Sequence, residues 1–144
     1  MRPVSIAWFD RLYWFGFAAA CVNFVVNIGN ITSKVGNEPG ATAAGIAGGL
    51  FGFGLVMALW TLLWFFTSRK ANNITRWLYT VIVWVVVLFT LVGLFVALEE
   101  VGMVAAVLDV LRFGSWAAGS VLLFFPDSRA YFSAGGTVDE DVFK

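Results

Sequence analysis

Apolar residues fill four stretches of this 144-residue chain, about 12–28, 41–67, 77–98 and 101–125, and polar residues gather in the short intervals between them. Each stretch meets or approaches the roughly 20 residues a helix needs to cross about 30 Å of hydrocarbon, the first being the shortest. Backbone groups in lipid must pair within their own element, and neither alternation nor even strand spacing points to a barrel. The pattern therefore predicts an all-α integral membrane protein. Its expected form is four transmembrane helices in an antiparallel bundle over residues 1–132, followed by an acidic tail over 133–144.

Composition strengthens this reading. The chain is 60% hydrophobic and 12% charged, with a mean hydropathy of +0.87, too apolar for a soluble surface. Basic residues sort to one side of the predicted membrane: Arg2 and Arg11 precede the first stretch, Arg69, Lys70 and Arg76 fill the second interval, and Arg129 and Lys144 follow the last. Lys34 alone lies in the first interval, within NITSKVGNEPG (30–40), and the third offers only Glu99 and Glu100 as its turn. Positive charge is retained on the cytoplasmic face, so both termini are expected there. AAAC at 18–21 has the small residues of a lipoprotein cleavage box, but the apolar run continues through Val22–Val26, and an uncleaved anchor is expected.

Charge and residue counts also exclude functions. Nine basic residues balance nine acidic ones, leaving no field to attract nucleic acid. Cys21 is the only cysteine and histidine is absent, which removes a dithiol redox couple, the usual haem ligand and the commonest zinc ligand. No nucleophile elbow, zinc-protease helix, phosphate loop or dinucleotide fingerprint is present. No catalytic residue, cofactor or metal is expected.

Helical spacing marks the faces that should meet. Gly16, Ala20, Asn23 and Asn27 form a small-to-polar stripe on the first helix, and Gly45, Gly48, Gly49 and Gly52 a glycine stripe on the second. Val86, Thr90, Gly93 and Ala97 follow on the third, with Ala105, Asp109, Arg112, Trp116 and Gly119 on the fourth. These glycines and Ala20 are the expected helix-packing interface. Asn23, Thr90 and Asp109 fall roughly 8–12 Å below the outer helix ends at 1.5 Å per residue, so Asn23, Asn27, Thr90, Asp109, Arg112 and Trp116 are expected to form one polar cluster in the outer half. Asp109 and Arg112 neutralise each other at i,i+3, with Trp116 covering the guanidinium and the helix-2 glycines allowing tight closure. Trp8, Trp14, Trp64 and Trp77 read as interfacial anchors; Trp60, Trp84 and Trp116 read as deeper residues that pack against other helices or lipid tails.

WFDRLYW (8–14) resembles TRWLYTVIVW (75–84), and FFTSR (65–69) resembles FFPDSR (124–129). Either one helical hairpin is duplicated, or the similar ends share an interfacial location. RPVSIAWFDRLY and LLFFPDSRAYF are also similar to the ends of small, uncharacterised four-helix inner-membrane proteins of bacteria. That resemblance implies the fold and the inner membrane, and no activity. Short multidrug transporters have similar length and helix number, but carry a membrane-embedded glutamate in helix 1 where this chain has asparagines. The expected partners are lipid and other membrane subunits or copies of the chain. The expected function is a structural or accessory subunit, with a small transporter or channel lined by Asn23, Asp109 and Arg112 as the alternative.

Overall fold

The computed structural model describes residues 2–34 and 39–134; the side chains of 29–34, 39–42 and 94–101 lie outside the description. Five helices follow in order: α1 (Val4–Lys34), α2 (Pro39–Ser68), α3 (Asn73–Val101), α4 (Met103–Leu122) and α5 (Pro126–Ser133). Four of them contain segments long and apolar enough to cross a membrane, Val4–Ile28, Ala43–Ser68, Asn73–Gly93 and Met103–Leu122, which supports a multi-pass membrane protein. The 35–38 connection, the Lys34, Glu99 and Glu100 side chains, and tail residues 135–144 lie outside the described residues.

The first span is longer than its hydropathy implies. α1 begins eight residues before Leu12, with the Ala7 N–H already bonded to the Pro3 carbonyl. Asp10 and Arg11 do not interrupt it, because Asp10 finds three donors on neighbouring segments. The fourth span is shorter than expected and stops at Leu122. Pro126 has no N–H to continue the ladder and biases Phe125 toward the extended conformation it adopts, φ −65° and ψ 155°. The proline then occupies the first turn of α5, where its missing donor costs nothing.

The α3–α4 turn also sits later than Glu99–Glu100. Both glutamates remain in the α3 backbone, and the chain turns at Gly102, whose φ of 77° favours a residue without Cβ. At the opposite end, Asn72 caps α3 by accepting from the Ile74 and Thr75 N–H groups at 2.9 and 3.3 Å.

α1 and α4 make the principal packing pair, and their contacts run in opposite order. Phe9 lies against Gly119, Gly16 against Ser115 and Trp116, and Asn23 against Asp109. The start of α1, the ends of α2 and α4, the start of α3 and α5 share one end of the molecule. That end carries Arg2, Arg11, Arg69, Lys70, Arg76 and Arg129 and is called the basic end below. The core concentrates in the half adjoining it: Ile6, Phe9, Tyr13, Tyr79, Val83 and Leu123 are fully buried. Tyr13 stacks on Trp64 with centroids 5.4 Å apart, and Phe9 meets Tyr79 edge-on at 5.3 Å. Trp64, expected as an interfacial anchor, is instead a core residue whose indole N–H donates to Asp10 at 2.8 Å. Of the three tryptophans expected deeper, Trp60 and Trp116 pack in the core and Trp84 is 44% exposed on the outside of α3, where lipid tails would meet it.

Candidate functional site

The polar cluster is built between α1 and α4. Asn23 and Asn27, one turn apart, share a face of α1, and the Asn27 amide donates to the Asn23 side-chain oxygen and to its carbonyl at 2.5 and 2.9 Å. This fixes the Asn23 amide so that its Nδ2 points across to α4, where it donates to Asp109 Oδ1 at 2.7 Å. Arg112 Nη2 reaches the same oxygen at 2.6 Å. One carboxylate oxygen thus receives an amide from α1 and a guanidinium from its own helix. The arrangement is partly shielded, with Asn23 only 6% exposed and the Arg112 and Asp109 side chains 20% and 19% exposed.

Two members of the expected cluster sit elsewhere. Trp116 does not cover Arg112: the guanidinium lies 4.1 Å from the Phe113 ring centroid, while the Trp116 N–H donates to the Tyr13 carbonyl at 3.1 Å. The side chain one position along α4 reaches the cation, and Trp116 is directed into the aromatic core beside Trp60, 4.9 Å between centroids. Thr90 is not bonded into the chain of polar groups; it lines a hollow of about 150 Å³ with Asp109, Val87 and Phe113.

The small residues divide in the same way. Ala20 is fully buried. A Cβ on Gly16 would lie 2.6 Å from Ser115 Oγ and 2.7 Å from Trp116 Cδ1, and one on Gly119 3.2 Å from the Phe9 ring. Gly48, Gly49, Gly52 and Gly93 have nothing within 4 Å of a Cβ position. The helix-2 glycines therefore do not close around the polar cluster, and they face outward in a stripe that begins at half-buried Gly45.

The basic end holds a second polar network that the stripes did not indicate. Asp10 accepts from Trp64 Nε1, Ser68 Oγ and Arg2 Nη1. The Ser68 carbonyl accepts from the Tyr131 hydroxyl at 3.0 Å and Arg2 Nη2 at 3.3 Å. Ser5 Oγ lies 2.8 Å from Asp127 Oδ2 and 2.5 Å from Ser128 Oγ, which ties α5 to α1. Burial alone would raise the pKa of Asp127, but the Ser5 hydroxyl and N–H, with the N–H groups of Ser128 and Asp127, outweigh it and hold the carboxyl below its ordinary value. The signal lay in the repeated FFTSR and FFPDSR endings: their serines, Ser68 and Ser128, are both fully buried at this end.

Each carboxylate of the two networks has donors, while the buried Arg112 Nε has no hydrogen-bond partner. The α1–α4 chain can fix helix register and hold two charges in a poor solvent for them. No family model, curated protein or solved structure matches this chain.

Proposed function

We propose that the chain is a non-enzymatic subunit of a membrane assembly, either with copies of itself or with other membrane chains, in the bacterial inner membrane. Its four spans form an antiparallel bundle, with the basic end and both termini on the cytoplasmic side. Six basic side chains at that end support the orientation. The observation that carries the assembly reading is the outer face of α2. Gly48, Gly49 and Gly52 form a small-xxx-small surface on which another backbone can approach closely, and among the described residues nothing lies within 4 Å of a Cβ position on any of the three. The flanking Leu50, Phe51 and Leu55 are 50–74% exposed and add apolar contact area.

The polar chain supports a lock more than a transport path. Asn27, Asn23 and Asp109 bond in sequence and Arg112 pairs with Asp109, and the adjoining hollow of about 150 Å³ is bounded mainly by Val87, Leu91, Val110, Phe113 and Ala117. Purification from native membranes in mild detergent, with size measurement and mass spectrometry of co-purifying chains, tests the proposal. The expected result is a stoichiometric assembly that Gly49→Leu dissociates without lowering the thermal midpoint of the separated chain. A monomer that exchanges freely in native-lipid discs overturns it.

A further inference from the structure

Arg76 occupies an unusual position for a cation. It sits one turn into α3 at 9% exposure, with ring centroids of Phe124 and Phe132 each 4.9 Å from its guanidinium carbon and Trp77 at 5.9 Å. Its Nε is buried without a hydrogen-bond partner, and among the described residues no carboxylate pairs with it. The aromatic faces stabilise the charge electrostatically but leave its N–H groups without acceptors.

Arg76 lines a hollow of about 250 Å³ together with Asn73, Arg129, Phe132 and Ser133. Arg129 donates Nε to the Phe124 carbonyl at 3.1 Å, and its charge repels that of Arg76. Two guanidinia and the Asn73 amide thus line one hollow at the positive end of the 29-residue α3 dipole, with no carboxylate among the lining residues, while the Ser133 hydroxyl is already donated to the Arg129 carbonyl at 2.9 Å. An anion bound between the arginines converts their repulsion into attraction on both sides. We infer that this hollow binds the phosphate of an anionic lipid headgroup.

Phosphate chemistry follows from the donors, because guanidinium forks match tetrahedral oxygens in bidentate geometry. The lipid source follows from depth. Asn73 and Arg76 line the hollow from the first turn of the Asn73–Gly93 span, the level at which headgroups meet a membrane helix, and the neighbouring Ile74 and Trp77 are apolar and 77% and 54% exposed. This inference requires only the membrane location and not the assembly through α2.

The test uses the full chain in phosphatidylcholine nanodiscs with and without phosphatidylglycerol, reading the thermal midpoint. Phosphatidylglycerol is expected to raise it by about 5 °C, the scale of saturable binding to the folded state alone. Arg129→Gln, an exposed position outside the core, is expected to remove at least half of that gain, and Arg76→Gln nearly all of it where the variant folds. Arg69→Gln, basic and exposed at the same end but outside the hollow, is expected to keep it. Full retention in Arg129→Gln overturns the site. No gain in the wild type also overturns it. A full gain from inorganic phosphate in phosphatidylcholine discs overturns the lipid source in favour of a free ion.

Discussion

In the half of the bundle adjoining the basic end, Phe9, Tyr13, Trp60, Trp64, Tyr79 and Trp116 interleave at 8% exposure or less. In the other half, Leu50, Phe51, Leu88, Phe89 and Val92 stand 52–75% exposed on α2 and α3. Both halves are equally apolar to the eye, so hydrophobicity does not explain the difference. In lipid, apolar surface gains nothing merely by turning inward, and association depends on fit and on polar bonds. The packed half has both: glycines at Gly16 and Gly119 that admit ring edges, and hydroxyls, indoles and carboxylates that pair among α1, α2, α4 and α5. The other half is held between α1 and α4 by the Asn23–Asp109–Arg112 chain.

The sharpest way to break this comparison is to add the same bulk to a glycine in each half. Gly16→Val drives a side chain into Ser115 and Trp116, and Trp116 cannot retreat without losing its bond to Tyr13. Overpacking of this kind is expected to cost about 3 kcal/mol. Gly49→Leu enters open space and is expected to change the stability of the isolated chain by less than about 0.5 kcal/mol, apart from its effect on assembly. Equilibrium unfolding in a single detergent compares them directly; equal losses would show that the two halves are packed alike.

The second test addresses the bond that substitutes for packing in the open half. Asp109→Asn leaves Arg112 without its counter-charge, and Arg112→Gln leaves Asp109 with only Asn23. Breaking a fully buried pair costs about 3–5 kcal/mol; with both side chains near one-fifth exposed, each single variant is expected to lose about 2 kcal/mol. The double variant should lose distinctly less than the sum, because neither charge is stranded. Strict additivity in a double-mutant cycle would mean that the two residues act independently.

How much of this was legible differs between the halves for a physical reason. Span number followed from hydropathy, and the Asn23–Asp109–Arg112 chain from helical spacing and depth, since polar groups in apolar stretches stand out against their background. The glycine stripe of α2 had the same signature as a packed face, yet spacing shows only which residues share a face and not whether a neighbour meets it. Trp64 and Arg76 were misplaced or missed because aromatics and arginines near a helix end fit an interfacial belt equally well. Trp64 is buried against Tyr13 and Trp14 of α1, and Arg76 between Phe124 and Phe132, the latter returned over the basic end by α5. That return begins at Pro126, and the eight-residue helix it opens is too short and too polar to register as a span.

The smallest expected effect concerns how α5 closes the packed half. Asp127 is tied to Ser5 and has its pKa lowered below the ordinary carboxyl value of about 4. A depressed folded-state value means the contact contributes fully above the unfolded pKa and is lost as pH falls through the folded one. Protection of the 126–133 amides from hydrogen exchange, corrected for intrinsic rate, is therefore expected to hold at neutral pH and to decline only below about pH 4. Ser5→Ala removes one of the donors that lower the value, so its decline should begin at a higher pH while the α1–α4 contacts at Asn23 stay protected. An unchanged profile in Ser5→Ala would assign the docking of α5 to Tyr131 and Phe132 packing alone, making the closure of the basic end apolar in origin and insensitive to acid.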